Sequence, residues 1–300
     1  MSQARAPFVG VYTALCTPMR AGSDAPLVDE AALSALCEAQ IGAGIAGLVA
    51  CGTTGEAATM TPEEQARVIR VVVEAAAHRV PVLAGVGSPS TAHSVELSRA
   101  AIAQGADGLL AVTPYYNRPS QEGLFQHFSA LSRLGHPIML YNVPARTGCD
   151  LLPDTVARLC ELPQVVALKE ASGSVVRTQQ LARMLGDRLA LFSGEDALNY
   201  PLYCVGARGS VSVVSNVAPA LTVAVFEAFR AGDYQKAQRT HERFVPLADL
   251  LFSEPNPIPA KAALHLLGQS DNVLRLPLVP MTAGGQAKLR TLLGELGLLR

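Results

Sequence analysis

Gly105-Ala106-Asp107-Gly108-Leu109-Leu110-Ala111-Val112 carries the fold signal of this chain. The first glycine stands where a helix should stop, because glycine adopts the left-handed cap freely. The second opens a short aliphatic run, the length of a buried strand rather than of a helix. The same device recurs in Gly44-Ile45-Ala46-Gly47-Leu48 and Gly206-Ala207-Arg208-Gly209-Ser210. Gly44 and Gly105 are 61 positions apart, and Gly105 and Gly206 are 101 apart. Those spacings approximate two and three units of about 30 residues, as expected when about 250 residues are shared among eight βα units.

Outward from these anchors, short apolar runs alternate with amphipathic, Ala-rich stretches, the pattern of a parallel sheet built from βα units. Eight runs end near Thr13, Ala50, Gly85, Val112, Asn142, Lys169, Ser193 and Val213. The first starts as Phe8-Val9-Gly10-Val11-Tyr12. Asp29 reads as an N-cap, and Thr61-Pro62-Glu63-Glu64 supplies a capping Thr, a proline at N1 and a glutamate at N3. Eight right-handed crossovers can roll such a sheet shut and leave no edge. The expectation is an α/β chain with a (β/α)8 TIM barrel over residues 1–231. Beyond about Val217 the β signals stop, and the pattern is helical apart from Glu254-Pro255-Asn256-Pro257-Ile258-Pro259. Residues 232–300, starting at Gly232, are expected to form a small all-helical C-terminal domain that serves packing or oligomer contact.

The chain has 300 residues, 49% of them hydrophobic and 16% charged, with a formal net charge of −1. That balance excludes disorder and offers no field for nucleic acid or an anionic membrane. No apolar run approaches the 18 or so residues of a membrane span. Met1 to Gly10 carries Arg5 but no separate apolar core with a cleavage site, so secretion is not indicated. The six cysteines form no CxxC pair, which argues against zinc and against a disulfide framework. A reduced cytoplasmic setting is expected.

In a barrel of this kind, reactive groups sit at the C-terminal ends of strands and in the loops that follow. That rule selects Thr53, Thr54, Glu56, Tyr115, Tyr116, Tyr141, Arg146 and Lys169. Of the four lysines, Lys236, Lys261 and Lys288 fall in the C-terminal region, and Lys169 alone ends an apolar run, Val165-Val166-Ala167-Leu168. Desolvation there would lower its pKa and free a nucleophile for attack on a carbonyl. The same position also suits a lysine paired with Glu170 or another carboxylate. Tyr141, at the end of the adjacent strand, could move protons at a carbonyl bound to Lys169, or pack as an amphipathic ring. Arg146 in its Pro-containing loop suits bidentate capture of a carboxylate, or a solvated ion pair. Thr53 and Thr54, between glycines, could hold a carboxylate, relay a proton or simply make a turn.

Other motifs lack their context. Gly42-Ala43-Gly44-Ile45-Ala46-Gly47 matches GxGxxG but follows a helix and precedes a strand, the reverse of a dinucleotide site. His78, His93, His127, His136, His241 and His265 show no metal-ligand spacing, and no GxSxG or Walker-type loop is present.

Gly52-Thr53-Thr54-Gly55-Glu56, Thr113-Pro114-Tyr115-Tyr116-Asn117-Arg118-Pro119, Tyr141-Asn142-Val143-Pro144-Ala145-Arg146-Thr147-Gly148 and Lys169-Glu170 occur in an order and spacing that resemble the class I pyruvate-dependent aldolases and lyases, and within them the dihydrodipicolinate synthases. The resemblance runs from about Gly10 to the C-terminus. It implies that Lys169 forms a Schiff base with pyruvate and that Thr53, Tyr141 and Tyr116 relay protons, Tyr116 reaching into a neighbouring subunit's site. It implies that Thr54 holds the pyruvate carboxylate, that Arg146 binds the carboxylate of L-aspartate 4-semialdehyde, and that Gly194 and Val211 line the pocket through their backbones. It further implies a homotetramer built as a dimer of dimers and no metal or organic cofactor. Where lysine-inhibited members carry His, Asn and Glu contacts, this chain has Ala57, Pro62, Gln65, Pro89 and His93, with Tyr115 kept. Lysine inhibition is therefore expected to be weak or absent. Two alternatives stay open within the same chemistry, an N-acetylneuraminate lyase and a 2-keto-3-deoxy sugar-acid aldolase. A third is a non-catalytic barrel that binds a small acid.

Overall fold

The computed structural model describes residues 8–22 and 25–299. Met1 to Pro7, including Arg5, lie outside the described residues, so the reading of the N-terminal segment has no structural counterpart. Eight parallel strands close into a barrel: β1 Gly10–Ala14, β2 Gly47–Ala50, β3 Val82–Gly85, β4 Gly108–Val112, β5 Ile138–Asn142, β6 Val165–Glu170, β7 Ala190–Ser193 and β8 Gly209–Ser212. Every neighbour in the ring is a neighbour in sequence, and β1 closes it by pairing with both β2 and β8. The strands are buried on both faces, which is why they read as continuous aliphatic runs rather than as alternating ones.

The helices α1 Glu30–Gly42, α2 Pro62–Ala76, α3 Thr91–Ala103, α4 Gln121–Ser132, α5 Pro153–Leu159, α6 Val175–Leu185, α7 Asn199–Cys204 and α8 Pro219–Arg230 follow the strands in turn. Asp29 accepts a hydrogen bond from Ala32 N at 2.9 Å as the cap of α1. At α2 the full capping box forms: Thr61 Oγ1 accepts from Glu64 N and Glu64 Oε2 accepts from Thr61 N. The first strand starts at Gly10 rather than Phe8, and a two-stranded ribbon, Met19–Arg20 with Leu27–Val28, interrupts the first crossover. Neither feature was legible in the apolar pattern, because two-residue strands carry no period.

Beyond α8 come α9 Tyr234–Leu251, α10 Ile258–Leu266 and α11 Ala283–Glu295. Their core joins Phe244, Leu247, Leu251, Ala262, Leu289 and Leu293 to Val214, Val217 and Ala218 just after β8. No helix among the described residues is long and apolar enough to cross a membrane.

Candidate active site

Strands β5 and β6 pair so that Tyr141 and Lys169 are opposite one another. Lys169 is 6% exposed, and its Nζ lies 4.2 Å from the centre of the Tyr141 ring. Burial pulls the ammonium down to about 8, while Asp196 and Glu195 raise it and Arg146 lowers it. Glu170, the partner that the sequence left possible, points to the other face of the strand. There it accepts from Asn142 Nδ2 at 3.3 Å and Ser172 N at 2.8 Å and faces Arg177 Nε at 3.2 Å. Gly194, just past β7, leaves room for the lysine stem. A Cβ at that position would stand 3.0 Å from both Lys169 Cγ and Cε and 2.7 Å from the Ala171 Cβ.

Burial pushes the Tyr141 phenol up to about 12; Arg146 lowers it, Glu195 raises it, and a hydrogen bond with the Thr53 side chain lowers it. Thr53 belongs to a tight turn. Gly55 N donates to Gly52 O and Glu56 N to Thr53 O, each at 3.1 Å, and the turn is flanked by Cys51 and Glu56 in the left-handed region at φ 53° and 57°. Two non-glycine residues held there mark a turn fixed by its surroundings. Thr54 Oγ1 accepts from Asn256 Nδ2 at 2.9 Å, and Thr17 Oγ1 donates to Gly55 O at 2.8 Å.

Tyr141, Lys169, Thr53, Thr54, Arg146 and Gly194 line a single cavity of about 530 Å³ at the C-terminal end of the barrel. Arg146 sits on one helical turn, Pro144–Thr147, rather than in an irregular loop. Tyr115 also lines the cavity. Tyr116 does not: its side chain is 92% exposed, on a residue with φ 71° whose N–H donates to Thr147 O at 3.3 Å. Val211 lies buried within β8 and outside the lining, which Val213 enters instead. Glu56, selected by the strand-end rule, is turned away from the cavity and pairs with Lys261.

Four residues of the site escaped the sequence reading. Glu195 and Asp196 follow β7, and the strand-end rule applied to Ser193-Gly194-Glu195-Asp196 would have found them. The Asp196 carboxylate accepts from Val213 N at 2.8 Å and Val214 N at 3.0 Å, bracing the loop after β8. Glu195 enters the cavity beside Lys169 and Arg146, with its carboxyl raised first by burial. Phe252 and Asn256 come from the segment after α9, so the C-terminal region reaches the site as well as packing beside the barrel. Asn256 lies in the proline-rich break Glu254-Pro255-Asn256-Pro257-Ile258-Pro259, whereas no local signal marks Phe252. No group of three or more His, Cys, Asp and Glu among the described residues is arranged to hold a metal ion.

A buried amine of lowered pKa, a phenol–hydroxyl pair beside it and a guanidinium at the mouth can together bind a keto acid covalently and move protons around it. Residues 7–296 match the model of the Dihydrodipicolinate synthetase family. A 4-hydroxy-tetrahydrodipicolinate synthase from Sorangium cellulosum is 52% identical over 276 residues, 91% of each chain. The crystal structure of the chloride-inhibited dihydrodipicolinate synthase from Acinetobacter baumannii, complexed with pyruvate, superposes with a TM-score of 0.94 at 41% identity, covering 97% of this chain and 100% of that one. A protein described as the first monomeric dihydrodipicolinate synthase variant superposes with the same TM-score at 39% identity, over 97% and 98% of the two chains. With its whole described barrel and nearly its full length matched, this chain belongs to the dihydrodipicolinate synthetase family.

Proposed function

We propose that this protein is a lyase of the 4-hydroxy-tetrahydrodipicolinate synthase type, condensing pyruvate with L-aspartate 4-semialdehyde in the diaminopimelate route to lysine. The observation that carries the reading is Lys169, a buried amine lowered to about 8 and laid against the Tyr141 ring. Its free amine adds to C2 of pyruvate, and loss of water leaves an iminium. Loss of a C3 proton gives the enamine, whose C3 attacks the aldehyde carbon while the aldehyde oxygen takes up a proton. The amino group of the second substrate then attacks C2, closes the ring and releases Lys169.

Tyr141 and Thr53 share a hydrogen bond beside the amine, which suits them to shuttle these protons. Tyr116 is assigned as the third member of the relay, acting in a neighbouring subunit's site, a role that fits its outward-facing side chain. The Thr54 hydroxyl accepts from Asn256 and keeps its own O–H to donate, so it holds the pyruvate carboxylate together with backbone N–H groups of the turn. Arg146 at the mouth takes the carboxylate of the semialdehyde. Gly194 gives backbone and space; Val211 supports the wall from beneath, with Val213 forming the lining.

The chemistry requires no metal or organic cofactor, since the iminium itself is the electron sink. A homotetramer of two dimers and a cytoplasmic location belong to the same proposal, as does the division into a barrel over 1–231 and a helical domain over 232–300. Borohydride reduction in the presence of pyruvate tests the reading: a mass adduct on Lys169 is expected, and its absence favours a barrel that only binds acids. Turnover of a sugar acid in preference to aspartate semialdehyde would sink the assigned substrate.

A further inference from the structure

The carboxylate of Glu56 is enclosed in the protein, and both of its oxygens are taken by the C-terminal region. Oε1 pairs with Lys261 Nζ at 2.6 Å, and Oε2 accepts from Arg275 N at 3.0 Å. The side chains of Glu56 and Lys261 are 1% and 0% exposed. The partners are 205 and 219 positions away in sequence. Arg275 extends the tie, its guanidinium donating to Thr59 O at 2.8 Å, to Glu64 Oε2 at 2.7 Å and to Pro26 O at 2.8 Å. Asn256, from the same region, donates to Thr54. The turn that presents Thr53 is thus pinned from behind by residues that do not touch the cavity, apart from Asn256.

A buried ion pair contributes little net stability, since desolvating both charges offsets most of their attraction, and well-packed apolar residues often do as well. What it adds is direction. A carboxylate held at both oxygens fixes the position of its own Cα, and Glu56 holds its left-handed backbone one turn away from Thr53. We infer that Lys261 is a positioning residue for the proposed condensation: through Glu56 it sets the Gly52–Glu56 turn so that the Thr53 hydroxyl meets Tyr141. Lys169 stands on β6 with its own support from Gly194 and β5, so its amine keeps its place without this tie, and weaker capture of the pyruvate carboxylate by a loosened turn is offset at saturating pyruvate. Proton transfer does, because a misplacement of about 1 Å can cost about 100-fold in rate.

The inference rests on the Schiff-base reading, and the test separates the two. Lys261→Met alone strands a buried carboxylate and destabilises the fold, so the working variant is Glu56→Gln/Lys261→Met, which removes both charges at nearly constant volume. At saturating pyruvate the folded double variant is expected to form the Lys169 adduct with borohydride to within about twofold of the parent, while kcat falls about 10- to 100-fold. A kcat within about twofold of the parent overturns the inference, as does a loss of adduct in proportion to kcat, which marks a site damaged as a whole. If the double variant does not fold, Glu56→Asp carries the test. It keeps the charge pair but shortens the tie by one methylene, and the same split is expected; an unchanged kcat overturns the inference. No adduct in the parent protein overturns the Schiff-base reading and Lys261's catalytic role with it, whereas adduct in both proteins with equal turnover overturns the role of Lys261 alone.

Discussion

Tyr141 and Lys169 are register partners on adjacent barrel strands, and the lysine amine lies 4.2 Å from the centre of the tyrosine ring. Parallel pairing forces both side chains to the same face at the same height, so the amine and the phenol share one desolvated pocket.

Lys169→Ala should reduce turnover on the order of 10⁴-fold or more, the scale on which removal of a covalent nucleophile acts. Steady-state assay with pyruvate and aspartate semialdehyde checks it. Lys261, the other lysine buried among the described residues, cannot substitute, because its amine is paired with Glu56 away from the cavity. Activity within tenfold of the parent would remove Lys169 from the mechanism.

The pH dependence of imine formation follows from the lowered amine. Lys169 is charged and unreactive below its pKa near 8 and free above it, so the rate of adduct formation with pyruvate should rise through that region and then level. Glu195 raises this pKa, so Glu195→Gln should move the rise to lower pH. A shift to higher pH in single-turnover trapping would contradict the charge assignment.

Tyr141→Phe keeps the ring and loses the proton. The expected result is a fall in kcat of about 10²- to 10⁴-fold, the usual worth of positioned acid–base groups, with pyruvate trapping on Lys169 retained. Thr53→Val should act in the same direction and add little to Tyr141→Phe, since the two hydroxyls share one hydrogen bond. Fully additive losses in the double variant would mean that they work independently.

Arg146→Ala removes a charged donor at the mouth. A bond of that kind contributes about 1.5–3 kcal/mol, so kcat/KM for the semialdehyde should fall by roughly 10- to 150-fold while the pyruvate KM changes little. An equal loss for both substrates, measured by varying each in turn, would place the guanidinium on pyruvate instead.

Lysine should leave the rate nearly unchanged. Ala57, Gln65 and His93 line the outer part of the cavity beside Tyr115, and none supplies a carboxylate for an ε-ammonium. Strong inhibition at physiological lysine in a rate assay would show that other groups make the contact.

Much of this molecule was written locally. Asp29 and Thr61 announced two helix starts because capping bonds span only three residues. The eight strand ends, and with them Thr53, Tyr141 and Lys169, followed from short aliphatic runs, three of them fenced by glycines. The scarcity of lysine, with only one of the four ending an apolar run, singles out Lys169. Tertiary structure decided what no window of sequence contains. Val213 rather than Val211 reaches the cavity because side chains of alternate strand residues stack in layers, and only the top layer meets the substrate space. Glu170 rather than Lys169 faces Arg177 because neighbouring residues of a strand point to opposite faces. Glu56, which reads as a reactive strand-end acid, became an anchor only when the chain brought Lys261 and Arg275 back across more than two hundred residues. Periodicity and caps are properties of neighbours along the chain, whereas the burial and partner of a charge depend on which distant surfaces close over it.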